Sequence, residues 1–184
     1  INGSLYGVVS EGLRHPVEIA HVYGMVNGIE GFLADRFMDM EALAENGELE
    51  FVRTTPGAYL GSCRYKLPED LKDPVYPRLF QKLAEKEIGY FFYIGGNDSM
   101  DTVSKLSRYA AGIGSDIRFI GVPKTIDNDL VHTDHTPGYG SAAKYVASVV
   151  REITADASVY DNKPSVTIVE IMGRHAGWLT AASV

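Results

Sequence analysis

Cysteine is almost missing from this chain. Cys63 stands alone, so no intrachain disulfide can form, and a reducing cytoplasm is the expected compartment. No apolar run approaches the roughly 18 residues of a membrane-crossing helix, and no secretory leader is visible. Basic runs are missing too: no Lys/Arg run exceeds two residues, and the formal net charge is −7. That argues against a nucleic-acid or anionic-membrane partner, which would call for a basic patch. It leaves open a small anionic substrate, which needs only a few local cations. There is no internal repeat and no low-complexity tract.

What is present suits a globular domain or a little more: 184 residues, 45% hydrophobic and 22% charged. The chain opens at Ile1 on "INGSLYGVV", which reads as cut in mid-element, so a fragment is expected. Apolar spacing predicts a helix over Asn2 to His15, with Asn2 near its N-cap. "HVYGMV" reads as a short strand, and "GIEGFLADRFMDMEALAENG" as short helical and extended pieces. Residues 47–73, rich in Gly, Pro, Ser and Thr, read as loops with short helices. "DPVYPRLFQKLAEKEI" reads as a helix burying Leu79, Leu83 and Ile88, with Pro74 and Pro77 in its first turn.

Beyond residue 88 a pattern repeats. "GYFFYIGG" reads as a buried strand and "SMDTVSKLSRYAAGIG" as a helix. "IRFIGVP" is the next buried strand, and a long helix starts near "GYGSAAKYVASVV". "PSVTIVEIMG" is a third buried strand, and "HAGWLTAASV" begins a further helix. This alternation predicts an α/β fold: a three-layer, Rossmann-like, mostly parallel sheet with helices on both faces. Ligands then collect at the C-terminal strand ends, where each unusual motif falls.

In "IGGNDSMD", Gly95 and Gly96 allow a tight turn and close approach of a phosphate. Asp98 or Ser99 is placed to cap the next helix, whose N–H groups favour an anion. Asp98 would repel a phosphate seeking the same groups, by about 4 kcal/mol at about 4 Å and an effective dielectric near 20. Either this turn binds no phosphate, or Asp98 limits how much of a polyphosphate fits. An ordinary glycine turn with a capping box is the plainer reading.

In "GVPKTIDNDL", Pro123 ends the strand because it lacks an N–H. Lys124 and Thr125 are suited to phosphate oxygens. Asp127 and Asp129, two apart, would share one side of an extended backbone, with Asn128 on the other. Two such carboxylates can divide proton and metal work. A polar loop is the alternative. "EIMGRHAGW" brings Met172, Gly173 and Arg174 to another strand end, with Arg174 offering a planar fork for phosphate. Glu170 is expected to be paired or at a layer edge, and Trp178 in the core. Arg64 sits in the irregular loop region. His132 and His135 read as polar loop residues rather than a metal pair.

Together "GGNDS", "PKTIDND", "GYGSA" and "MGR", each at an expected strand end, resemble in their order the phosphofructokinase family, and the resemblance covers essentially the whole chain. It is closest to members that use pyrophosphate. The resemblance implies transfer of a phosphoryl group to the 1-hydroxyl of fructose 6-phosphate, giving fructose 1,6-bisphosphate. Asp127 would be the base, and Thr125 and Ile126 would line the substrate. Met172, Gly173 and Arg174 would hold the sugar and the transferred phosphoryl, and Arg64 would bridge phosphates. Gly95, Gly96, Asp98, Ser99 and Lys124 would form the donor side. Asn97 and Asp129 would serve Mg2+, although members usually carry aspartate where this chain has Asn97. A few residues before "VEIMGR", where many members have an arginine, this chain reads "NKPSVTIVE", and Lys163 is the nearest cation.

ATP-using members commonly carry glycine in place of Asp98, so Asp98 beside Lys124 implies pyrophosphate as donor. The resemblance also implies that residues 1–184 form the N-terminal donor and catalytic domain. A glycine-rich strand-turn would precede it and a second domain would follow. It further implies a cytoplasmic homo-oligomer, dimer or tetramer. The alternatives are the same reaction with ATP, a non-catalytic regulatory subunit that keeps the fold, and a nucleotide-binding module without chemistry.

Overall fold

The computed structural model describes residues 1–160, 163 and 166–183. The chain forms two compact units, Ile1–Val122 and Pro123–Val184. The first opens with α1 (Asn2–Leu13). Asn2 does not cap it. The residue lies inside the helix, is buried, and spends its amide on a distant loop. Its Nδ2 donates to Thr55 O at 2.8 Å and Gly57 O at 2.9 Å, and its Oδ1 accepts from Tyr59 N at 2.9 Å. A buried amide must be satisfied within the protein, whereas an exposed helix end has water.

Next come β1 (Tyr23–Met25), α2 (Gly28–Leu33), β2 (Phe37–Asp39), α3 (Met40–Glu45) and α4 (Leu49–Val52). β1 and β2 pair antiparallel, with Gly24 opposite Met38. Asp39 caps α3, its carboxylate accepting from Glu41 N and Ala42 N. Residues 53–74 carry no regular element, as their composition predicts.

α5 (Val75–Glu85) buries Tyr76, Leu79, Phe80 and Leu83, one stripe at helical spacing. Ile88 lies past its end and is half-buried. Then follow β3 (Tyr90–Gly95), α6 (Asn97–Ile113) and β4 (Arg118–Pro123). Gly114, at φ 68°, closes α6 in the left-handed conformation. β3 and β4 pair side by side, and the helix between them makes the crossover that parallel strands require. The class is mixed α/β, with small sheets. The main core of this unit joins Ile29, Phe32, Leu67, Tyr76, Leu83, Phe91 and Leu106. The strands are less buried than their apolar runs predict. Phe91 is 5% exposed but Phe92 is 40% exposed, the alternation of a sheet with one face well covered.

The second unit holds α7 (Tyr139–Ser158) and α8 (Trp178–Ala181). The third expected strand does not form over its described residues. Pro164 and Ser165 lie outside the described residues, and Val166 to Gly173 carry no strand. Val166 and Ile168 are each 88% exposed. A strand exists through its ladder to a neighbour, and no neighbour pairs with this run among the described residues. Glu170 is exposed with it. Trp178, expected in the core, is 56% exposed.

Candidate active site

The motif expected on the donor side lies in the first unit. β3 delivers the chain to Gly95, and Gly96 is the N-cap residue of α6. A Cβ on Gly95 would stand 2.1 Å from Ser99 Oγ and 2.8 Å from Ser99 Cβ. Ser99 therefore folds back over the strand end, and only glycine fits beneath it. Neither Asp98 nor Ser99 caps the helix, contrary to expectation. Both lie inside the first turn, and α6 has no side-chain cap. The helix start favours negative charge, and the Asp98 carboxylate already stands in its first turn.

Asp98 has a counter-ion that no spacing rule reveals. Lys66 Nζ stands 3.0 Å from its carboxylate, both side chains about three-quarters exposed. Lys66 belongs to the irregular segment that also carries Arg64, and Arg64 is exposed. Just before Arg64, Cys63 Sγ lies 3.8 Å from the Tyr93 hydroxyl of β3. Burial, first, and then Cys63 push that hydroxyl's pKa well above the usual tyrosine range. The Arg64 segment thus rests against β3 and, through Lys66, against α6.

The second unit begins with Pro123, where β4 stops. Lys124, Thr125, Ile126 and Asp127 follow, each half-buried. The extended geometry expected for Asp127 and Asp129 is absent, because Asn128 takes φ 56°. Asparagine tolerates this left-handed region better than most residues, and one such residue breaks strand alternation. Asp127 and Asp129 are therefore not same-face neighbours on a strand.

Asn128 instead closes the loop. Its Nδ2 donates to Asp134 O at 3.0 Å, and its Oδ1 accepts from Thr136 N at 2.9 Å. Thr136 is buried and donates its hydroxyl to Thr125 O at 2.8 Å. Thr125 N donates to Pro137 O at 3.1 Å, and Thr125 forms a parallel bridge with Gly138. Thr125 Oγ1 accepts the Asp127 N–H at 3.1 Å and keeps its own proton for another acceptor. Asp127 is thus held between two pinned residues. The polar-loop alternative describes this stretch, with Asn128 and Thr136 as the residues that close it. The readable signal was an Asx side chain in a turn, which bonds backbone by habit.

Gly138, at φ 107°, brings the start of α7 to this loop, where its Cβ position is 3.4 Å from Thr125 O. Tyr139 extends the tie, its hydroxyl donating to Trp178 O at 3.4 Å. Met172 and Arg174 are exposed, and Gly173 makes a turn at φ 124°. A Cβ there would stand 2.3 Å from Ala176 O, so the turn needs glycine. His132 and His135 form no metal group, and among the described residues no cluster of three or more His, Cys, Asp or Glu could hold one.

A protein-family profile described as phosphofructokinase matches residues 1–184. The pyrophosphate–fructose 6-phosphate 1-phosphotransferase of Rhodospirillum rubrum is 47% identical over 184 residues, covering 100% of this chain and 43% of that protein. The crystal structure of a pyrophosphate-dependent phosphofructokinase from Marinobacter aquaeolei superposes with a TM-score of 0.85 at 43% identity. It covers 99% of this chain and 45% of that one. An ATP-dependent 6-phosphofructokinase from Glaesserella parasuis is more distant, 32% identical, covering 100% of this chain and 52% of that protein. The chain therefore spans less than half the length of its pyrophosphate-using relatives.

Proposed function

Because the chain belongs to the phosphofructokinase family, we propose that it supplies the donor and base residues of a pyrophosphate-dependent enzyme acting on fructose 6-phosphate. The reaction moves one phosphoryl group from pyrophosphate to the sugar's 1-hydroxyl. It yields fructose 1,6-bisphosphate and phosphate and is readily reversible. Residues 1–184 are its donor and catalytic part. The observation that carries this reading is the pinned loop around Asp127, which follows Lys124 directly after a strand end.

Asp127 accepts the proton of the sugar hydroxyl. A carboxylate is a weak base toward an alcohol. It is sufficient because the hydroxyl acidifies only as its bond to phosphorus forms, and phosphoryl transfer is mostly positioning and charge stabilisation. The pinned loop sets the carboxylate before substrate arrives, which removes part of the ordering cost from the reaction. Lys124 and Arg174 stabilise charge on the transferring group. Arg64 bridges the donor phosphates over the Gly95–Gly96 turn and Ser99. Thr125, Ile126, Met172 and Gly173 line the sugar. Asp98 occupies with negative charge the place an α-phosphate of ATP would take.

Mg2+ is the cation the family implies. The candidates offer oxygen only, the Asn97 amide carbonyl and the Asp129 carboxylate. This fits a hard cation that keeps several waters and leans on substrate phosphates. When bound, it neutralises phosphate charge. The complete enzyme is a cytoplasmic homo-oligomer, dimer or tetramer. Among the described residues no helix is long and apolar enough to cross a membrane.

One observation favours ATP as donor instead: Lys66 offsets part of the Asp98 charge. Initial rates of the full-length protein with pyrophosphate and with ATP separate the two, and activity with ATP alone overturns the proposal. Asp127→Ser should lower kcat by about 10²–10⁴-fold, the usual worth of a positioned base. Unchanged turnover would reject Asp127 as the base.

A further inference from the structure

Lys105, in the middle of α6, is 3% exposed, and the proposed chemistry gives it no task. Its ammonium is fully engaged. It lies 2.6 Å from the Asp101 carboxylate one turn back, 2.5 Å from Glu69 Oε1 and 3.1 Å from Leu67 O. Three donors meet three acceptors, which is what a buried ammonium requires. The bonds to Asp101, first, and Glu69 push its pKa up to about 12, so it stays charged.

Two of those acceptors belong to the segment that carries Arg64 and Lys66. The next carbonyl in that segment, Pro68 O, accepts from the buried Tyr76 hydroxyl at 2.6 Å. Consecutive carbonyls are thus held by buried side chains in a stretch with no strand ladder. The other tie to α6, Lys66 to Asp98, is exposed on both sides. Exposed pairs hold little. The buried lysine is the stronger fastening, and it sits two turns along the helix from Asp98.

We infer that Lys105 is a positioning residue, which fastens the Arg64–Glu69 segment to α6 and so sets Arg64 and Lys66 against the donor turn. This rests on the proposed donor site. A second consequence does not: with the Arg64 and Lys66 side chains exposed, the bonds after them resist trypsin only while the segment is fastened.

The test uses the full-length protein with Lys105→Met and Lys105→Arg. Lys105→Met should raise the KM for pyrophosphate about tenfold, the equivalent of one lost charge-assisted hydrogen bond. The KM for fructose 6-phosphate should stay unchanged. Cleavage after Arg64 and Lys66 should accelerate by a similar factor, and Lys105→Arg should recover part of both effects. If Lys105→Met does not fold, Glu69→Ala, at a residue whose side chain is 85% exposed, should show the same changes in smaller measure. Wild-type cleavage in a folded variant, or equal rises in both KM values, overturns the inference. Should the wild-type enzyme ignore pyrophosphate, the donor reading falls, and the cleavage rates still decide the role of Lys105.

Discussion

Lys66 and Asp98 form an ion pair, 3.0 Å apart, at the first turn of α6. The residue proposed to exclude ATP therefore carries its own partial counter-charge. Donor choice becomes a property of a pair and not of one aspartate.

Asp98→Gly should raise kcat/KM for ATP by about tenfold. The bare Coulomb figure of about 4 kcal/mol would give more, but solvent and Lys66 screen it. Lys124→Gly should lower kcat with pyrophosphate by about 10²–10³-fold, as loss of a group aimed at developing charge does. Initial-rate kinetics with each donor check both, and no change in either variant would discard the donor argument.

At the strand end, Gly95→Ala should impair pyrophosphate use, because its Cβ would collide with Ser99 Oγ at 2.1 Å. Ser99→Gly removes the colliding atoms and should cost some donor binding of its own, so the double variant should lose less than the two single losses combined. A cycle of the three variants, read as kcat/KM, measures the coupling. Purely additive losses would mean that the turn adapts without Ser99.

The loop around Asp127 separates two substitutions at one position. Asn128→Gly keeps the φ of 56° and loses two hydrogen bonds, at about 1–3 kcal/mol. Asn128→Ala loses the same bonds and adds about 1–2 kcal/mol for a side chain in the left-handed region. Urea unfolding should rank wild type above Gly above Ala. Equal midpoints for Gly and Ala would show that the backbone relaxes there.

Acid stability should depend on Asp35. Lys82 stands 2.5 Å from its carboxylate, and that hydrogen bond holds the Asp35 pKa below its ordinary value. A depressed carboxyl contributes stability above its unfolded pKa, near 3.9, and loses it as pH falls through the folded value. Asp35→Asn should therefore lower the urea midpoint at pH 6, with the difference from wild type fading below about pH 4. A difference that persisted into acid would assign the effect to packing.

The strand–helix–strand of β3, α6 and β4 was legible because apolar runs, glycines and helical spacing are local signals. The glycine turn after β3 was legible for the same reason, since Gly95 and Gly96 follow the apolar run directly, although the expected cap at Asp98 or Ser99 is absent. The Lys66–Asp98 pair and the Asn2 latch were not, since their partners lie far away in sequence. Asp127 and Asp129 were placed on one face by assuming strand geometry, and a single left-handed asparagine cancelled that. The run Val166–Gly173 has the composition of a strand, yet composition cannot supply the neighbour that makes one.

The two sides of the proposed site also differ in the order in which the chain can build them. The ties that close the Asp127 loop join residues only six, eight and eleven apart. Short closures cost little chain entropy and form fast. The Lys105 fastening spans 36 and 38 residues and must await the collapse of the first unit. On that reckoning the loop of the proposed base should close early, and the segment proposed to grip the donor should be fastened later.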